Sequence, residues 1–255
     1  MENKVNILGV KVDKVNIAQA VDRIFKMLEE NKPHSIFTPN SEIILEAYKN
    51  AEFCRILNSA DLLTADGIGV VYASKILGNP ISQRAAGYDI ACGLIKRIAE
   101  TGHRLYLFGG KPGIAEKAKR RLEERYPFMQ IVGTRNGYFK DNENTDIIND
   151  INSVGADIVF VCLGAPKQEK WIAQNKDRLN ARVLMGIGGS LDVFAGEVER
   201  APDIWCKMGL EWLYRLIKEP WRFKRMLALP KFGITILIHG RKFGKEDNNE
   251  QADCN

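Results

Sequence analysis

From residue 34 to 190 short apolar runs alternate with stretches of helical period, and most of the runs end at a glycine, a proline or an Asx residue. Ser35-Ile36-Phe37-Thr38 leads into Pro39-Asn40, and Leu62-Leu63 leads into Thr64-Ala65-Asp66-Gly67. Arg104 to Phe108 precedes Gly109-Gly110-Lys111-Pro112-Gly113, and Gln130 to Thr134 is followed by Gly137-Tyr138-Phe139. Asp157 to Leu163 runs into Gly164-Ala165-Pro166-Lys167-Gln168, and Arg182 to Ile187 into Gly188-Gly189-Ser190. Strands that alternate with helices close into βαβ units, so the fold class is α/β, a mainly parallel sheet with helices on both faces. Ahead of it Val5, Ile7, Val10, Val12 and Val15 alternate around Gly9, as in a bent strand or a small hairpin. Ile17 to Glu30 then reads as an amphipathic helix.

In a parallel sheet, ligands gather beyond the C-terminal ends of the strands. Asp66 sits at such an end. It suits either a reactive carboxylate or the N-cap of the next helix. Thr38 and Asn40 likewise suit helix caps or ligand contacts. The Gly109–Gly113 turn would offer backbone N–H groups at a helix N-terminus, which favours a diphosphate. It is neither GxGxxG nor a Walker loop, and a plain glycine-rich turn accounts for it equally. The strand that follows, Gln130 to Thr134, lacks the acidic residue a dinucleotide's ribose requires, which weighs against NAD. Gly186-Ile187-Gly188-Gly189 is a second glycine-rich strand end, and the two together favour a nucleotide crevice. No Asp-x-Asp pair occurs in the chain, so the leaving-group charge would fall to arginines and backbone amides rather than to a metal.

Cysteines at 54, 92, 162, 206 and 254 show no paired spacing, and the three histidines do not cluster with them. A zinc site or disulfide framework is therefore not expected, and a reducing cytosol is. Residues 1–20 lack a signal-peptide core, and no apolar run is long enough to span a bilayer. The net charge of +5 is uneven: residues 200–245 hold eleven Lys and Arg against three Asp and Glu. In that segment Trp205, Trp212, Tyr214, Trp221 and Phe223 interleave with Arg215, Lys218, Arg222, Lys224 and Arg225, and Pro202, Pro220 and Pro230 divide it. Aromatic and basic residues in this mixture suit an anionic membrane surface, with a helix packed on the domain and a nucleic-acid patch as the rivals. The expected division is 1–199 as catalytic domain, 200–245 as appendage and 246–255 as a disordered tail.

Several of these fragments together resemble the WecG/TagA/CpsF glycosyltransferase family. They are Thr38-Pro39-Asn40, Thr64-Ala65-Asp66-Gly67, Arg84 before Gly87-Tyr88-Asp89, Leu107-Phe108-Gly109-Gly110, Gly137-Tyr138-Phe139, Leu163 to Glu169, Gly186 to Gly189, Arg200-Ala201-Pro202, Gly209 to Leu216, and Glu219-Pro220 before Arg222 and Arg225. The resemblance spans nearly the whole chain. It implies a Rossmann-like sheet with a helical C-terminal appendage that reaches the membrane. It also implies inverting transfer of N-acetylmannosamine from UDP to the C4 hydroxyl of polyprenyl-diphosphate-linked N-acetylglucosamine, the linkage disaccharide of wall teichoic acid. A uronic-acid donor for a surface polysaccharide is the alternative within the family, and a soluble nucleotide-binding oxidoreductase or epimerase the alternative outside it. The protein would lie on the inner face of the cell membrane, without cofactor, metal or nucleic acid, its oligomeric state left open.

Inversion needs one displacement and a base for the acceptor hydroxyl. Asp66 is the expected base. Thr38, Asn40 and Gln168, from neighbouring strand ends, would hold sugar hydroxyls, and Arg84 would answer diphosphate charge. Gly67, Gly109, Gly110, Tyr138, Gly164, Lys167, Gly188 and Gly189 complete the expected substrate site. Arg215, Arg222 and Arg225, spaced by seven and three residues, would share a face for the acceptor diphosphate and the membrane.

Overall fold

The protein is described from a computed structural model covering residues 4–252; the side chains of Lys207, Arg222, Lys224, Arg241 and residues 244–252 lie outside the described residues, as do Cys254 and the chain's last residue. β1 (Lys4–Ile7) and β2 (Val10–Asp13) form an antiparallel hairpin. Its turn is made by Leu8 and Gly9, both at positive φ, where Gly9 meets no Cβ penalty. α1 (Ile17–Glu29) opens with a capping box between Asn16 and Gln19.

The chain continues through β3 (His34–Phe37), α2 (Ser41–Lys49), α3 (Ala51–Asn58), β4 (Leu62–Leu63), α4 (Ile68–Ile76), α5 (Gly87–Thr101), β5 (Arg104–Gly109), α6 (Ile114–Arg125) and β6 (Gln130–Arg135). It goes on through α7 (Asn144–Ser153), β7 (Ile158–Cys162), α8 (Lys167–Asn175), β8 (Val183–Gly186) and α9 (Ser190–Phe194). The C-terminal segment holds α10 (Asp203–Lys207), α11 (Glu211–Lys218), a 3-10 turn at Pro220–Arg222, α12 (Phe223–Met226) and α13 (Ala228–Ala252).

Six parallel strands form one sheet in the order β4-β3-β8-β7-β5-β6. β7 is buried at every residue, as expected of a strand covered on both faces. Val159 and Val161 point into the core on one side of the sheet, and Ile158, Phe160 and Cys162 into the core on the other. Each fully buried side chain of this size contributes about 1.5–3 kcal/mol of transfer free energy. From β5 the chain moves outward to β6, and from β7 it moves the opposite way to β8. The two connections part at the β5/β7 boundary, which opens a crevice beyond the strand ends.

Pro220 separates α11 from the 3-10 turn, as its missing N–H and fixed φ dictate. Pro230, expected to divide the segment, does not: it lies in the first turn of α13, where an N–H has no intrahelical acceptor. Nor does α13 stand apart from residues 1–199. Its Phe232 and Ile236 are buried in the core that includes Val5, Ile7 and Ile44. The backbone is helical through 246–252 as well, a stretch without proline or glycine and with glutamates that favour helix. Among the described residues no helix is long and apolar enough to cross a membrane.

Candidate active site

Beyond the C-terminal strand ends lies a cavity of about 960 Å³. Thr38, Asn40, Asp66, Gly110, Tyr138, Gly164, Lys167, Gln168, Gly188 and Gly189 line it from the sheet side, and Arg215 and Arg225 from the C-terminal segment. A smaller cavity of about 160 Å³ adjoins it, lined by Gly67, Ile68, Arg84, Trp212, Met226 and Leu229. Asn40, Asp66, Glu211, Arg215 and Arg225 line both, so Asp66 stands in the wall between them.

Asp66 is held at the sheet edge by its backbone N–H, which donates to Pro39 O at 3.1 Å. It does not cap α4. The N-cap there is Gly67, at φ 96, with no side-chain hydrogen bond. The Asp66 Oδ2 instead accepts the backbone N–H of Gly87, the first residue of α5, at 3.3 Å. Burial pushes the carboxyl up to about 6; the Arg84 charge opposes this and Glu211 reinforces it. A carboxylate moved towards neutrality in this way suits a general base.

Thr38 is buried at the end of β3 and faces α5, where the lack of a side chain at Gly87 makes room for its Oγ1. Asn40 caps α2, its Oδ1 accepting the Ile43 N–H at 3.0 Å, while it lines both cavities; the two roles left open for it coincide.

The arginines are more committed than expected. Arg84 donates to Glu211 at 2.7 Å and to Asp89 at 3.1 Å, so two carboxylates hold its guanidinium at the smaller cavity. Arg200 donates to the other oxygen of Asp89, and Arg215 lies 3.0 Å from Glu211. Arg225 makes a forked contact with Glu42, at 2.9 and 3.1 Å. Arg215 of α11 and Arg225 of α12 both line the two cavities; Arg222's side chain is not among the described ones.

The glycine turns also work differently from expectation. The Gly110 N–H does not point into the crevice but donates to Cys162 O at 3.1 Å, and Gly110 O accepts the Gly137 N–H at 2.8 Å. A Cβ on Gly109, at φ 131, would sit 2.3 Å from that same Cys162 oxygen. These two glycines thus let β5 and β7 close together beneath the site. Gly164 and Gly188, at φ 75 and 54, have open space around them and form the cavity floor. Gln168 is buried on α8, and its Oε1 accepts the Gly188 N–H at 3.0 Å. Its Nε2 donates to Glu169 Oε1 at 2.8 Å, which fixes the orientation of the amide. Lys167 donates to Gly137 O at 3.2 Å and lies over the Phe139 ring, while Tyr138 is exposed at the rim.

Lys111 and Asp192 were not singled out from the sequence. Both line the larger cavity, and burial raises the Asp192 carboxyl against the charge of Lys111. Lys111 directly follows Gly109-Gly110 and Asp192 lies three residues beyond Gly189, and that closeness to a glycine-rich strand end is the signal that could have found them. Glu211 and Arg200 carried no such signal, since Arg84 and Asp89, the residues they meet, are 127 and 111 positions away. Among the described residues no group of three or more His, Cys, Asp or Glu could hold a metal ion.

The model of the glycosyl transferase WecG/TagA/CpsF family matches residues 5–246. Three relatives carry the name N-acetylglucosaminyldiphosphoundecaprenol N-acetyl-beta-D-mannosaminyltransferase. That of Bacillus spizizenii is 38% identical over 86% of this chain and 84% of its own. That of Bacillus subtilis is 35% identical over 93% and 90%, and that of Staphylococcus aureus 35% identical over 95% of each chain. With Asp66 at its strand end, the paired cavities and a match over almost its full length, the chain belongs to the WecG/TagA/CpsF family of glycosyltransferases.

Proposed function

We propose that the protein transfers N-acetylmannosamine, with inversion, from UDP to the C4 hydroxyl of polyprenyl-diphosphate-linked N-acetylglucosamine, forming the linkage disaccharide of wall teichoic acid. The observation that carries this is the place of Asp66 in the wall shared by two cavities, with a carboxyl raised to about 6. The names of the relatives support the donor and acceptor. The larger cavity has the volume for a nucleotide sugar. The smaller one places arginines and apolar side chains together, as the diphosphate and first carbons of a lipid acceptor require.

In this reaction Asp66, ionised above about pH 6, takes the proton of the acceptor hydroxyl as that oxygen attacks the anomeric carbon, and the UDP diphosphate leaves on the opposite side. Thr38 and Asn40 orient the sugars, and Gln168 holds the Gly188 turn. Lys111 and Arg215 face the cavity where the departing charge collects. No metal is assigned a role. The exposed aromatic and basic surface of the C-terminal segment docks on the inner, anionic face of the membrane, where a polyprenyl acceptor resides.

The test is incubation with UDP-N-acetylmannosamine and a lipid-diphosphate N-acetylglucosamine analogue, with the uronic-acid donor in parallel, followed by mass analysis. A product heavier by one N-acetylhexosamine is expected. Turnover with the uronic acid alone would reassign the donor, and turnover with neither would overturn the reading.

A further inference from the structure

Glu211 opens α11 and divides its carboxylate between two cations. Its Oε2 accepts from Arg84 Nη1 at 2.7 Å, and its Oε1 lies 3.0 Å from Arg215 Nη2. Arg84 belongs to the loop before α5 and Arg215 to the C-terminal segment, so this one side chain ties an arginine from each part of the chain to the same point. That point is the wall between the cavities, which Glu211 and Asp66 both line. The reaction as set out above gives Glu211 no task.

The charges around it are numerous. Arg84, Arg200, Arg215 and the Cys206 thiol face Glu211. Asp89 takes the second nitrogen of Arg84 and also binds Arg200, and Arg225 lines the same cavities while paired with Glu42. Asp66 faces Arg84, Arg215, Glu211 and the Gly87 N–H. Without the Glu211 charge, Arg84 and Arg215 would act on Asp66 less compensated, and two cations beside a carboxylate make it a weaker base. With it, the guanidiniums stay in place while their field on Asp66 is largely offset. Burial alone would raise the Glu211 carboxyl, but the hydrogen bond from Arg84 and the charges of Arg215, Arg84 and Arg200 outweigh it. Its carboxyl therefore lies below the usual range and is ionised wherever Asp66 titrates.

We propose that Glu211 is a positioning residue of the transfer reaction: it holds Arg84 and Arg215 as a pair beside Asp66 and keeps that carboxylate an effective proton acceptor. The inference rests on Asp66 as the base, and a plain structural tie between α11 and the domain is the competing account. Glu211→Gln, which preserves shape and removes the charge, separates the two. The Asp66 carboxyl is followed directly by carbon-13 titration in the full chain, its signal identified by its loss in Asp66→Asn. In Glu211→Gln its midpoint should fall by about one pH unit. The acid limb of kcat/KM should move down with it, and kcat at pH 8 should fall about tenfold as the base weakens. A structural tie would lower the melting temperature and leave midpoint and limb in place, and that result overturns the proposal.

Glu211→Asp keeps the charge and shortens the reach. It should hold the midpoint near that of the wild type while lowering kcat, and an unchanged kcat would count against the bridging role even if Glu211→Gln fails to fold. Should Asp66→Asn transfer sugar normally, the base assignment fails on its own, and the Asp66 titration in Glu211→Gln still reports whether Glu211 governs that carboxyl.

Discussion

Gln168 and Gly188 are 20 residues apart in sequence and are joined by one hydrogen bond, from the Gly188 N–H to the Gln168 Oε1 at 3.0 Å. The bond links the start of α8 to the turn after β8, so it joins the ends of the neighbouring strands β7 and β8 on one side of the crevice. Gln168→Ala should therefore loosen the Gly188 turn and weaken UDP binding by about threefold to tenfold, the scale of one lost hydrogen bond. Calorimetric titration with UDP reads this. Unchanged UDP affinity with lost transfer would instead place the amide on sugar hydroxyls, the role expected from sequence.

Asp66→Asn should lower kcat by about a hundredfold or more, the scale of a lost general base, while UDP affinity stays near that of the wild type. Near-normal turnover would refute the assignment. Stability gives an independent check. The folded carboxyl titrates near 6, above its ordinary value of 3.8, because burial disfavours the ion. A raised carboxyl contributes stability in full below the unfolded value and loses it as pH climbs through about 6. Asparagine resembles the protonated form, so Asp66→Asn should melt at a higher temperature than the wild type at about pH 8, with the gap closed by about pH 4. A variant less stable than the wild type at about pH 8 would show that the carboxylate's bond from the Gly87 N–H outweighs the cost of burying its charge.

Much of this site was legible because strand ends announce themselves locally. Apolar runs that stop at glycine, proline or Asx residues located β3, β4, β5, β7 and β8, and with them Thr38, Asn40, Asp66 and Gln168. What a local pattern cannot carry is the partner. Glu211 is 127 residues from Arg84 and Arg225 is 183 from Glu42, so the arginines read as free when they are paired. The glycines misled for a related reason. Gly109 and Gly110 serve close contact with Cys162, a residue of another strand, and sequence shows the missing side chain but not what fills its place.

Chelation separates two ways of meeting the leaving-group charge. The chain has no Asp-x-Asp pair, and Lys111 and Arg215 supply cations at the larger cavity. Activity should be nearly unchanged by EDTA. Activity that disappears with the chelator and returns with magnesium or manganese would show that a divalent ion carries this charge instead.

The burial of Phe232 and Ile236 changes what truncation can reveal. Removing everything after about residue 200 would strip α13 from the hairpin and α2 and expose their apolar faces. Phe232→Ala alone should cost about 3–5 kcal/mol, the range for a buried phenylalanine, read by urea unfolding. A cost below about 1 kcal/mol would mean that α13 does not pack on the domain in solution.

Point variants on the outward side of the C-terminal segment therefore test membrane docking better than deletion does. Trp221, Phe223, Ile234, Leu237 and Ile238 are all exposed, beside the exposed Lys218 and Lys231. Trp and Phe partition into the headgroup region, and each basic residue near an anionic surface adds about 1 kcal/mol. Joint replacement of Trp221 and Phe223 by Ala should weaken binding to anionic vesicles by about tenfold or more. Lys231→Ala should weaken it less, by an amount that shrinks as salt rises. Neither change should alter kcat/KM for a short, water-soluble diphosphate acceptor, because none of the three side chains lines either cavity of the site. Arg215→Ala should do the reverse: it lowers turnover of the soluble acceptor, whose diphosphate it faces, and leaves vesicle binding largely intact. Arg225 falls between the two, since it lines both cavities yet must leave Glu42 to meet a phosphate; half-exposed ion pairs of that kind hold by about 1 kcal/mol or less, so the exchange is inexpensive. If the aromatic variant lost soluble-acceptor turnover in proportion to vesicle binding, Trp221 and Phe223 would belong to the catalytic surface rather than to a separate docking face.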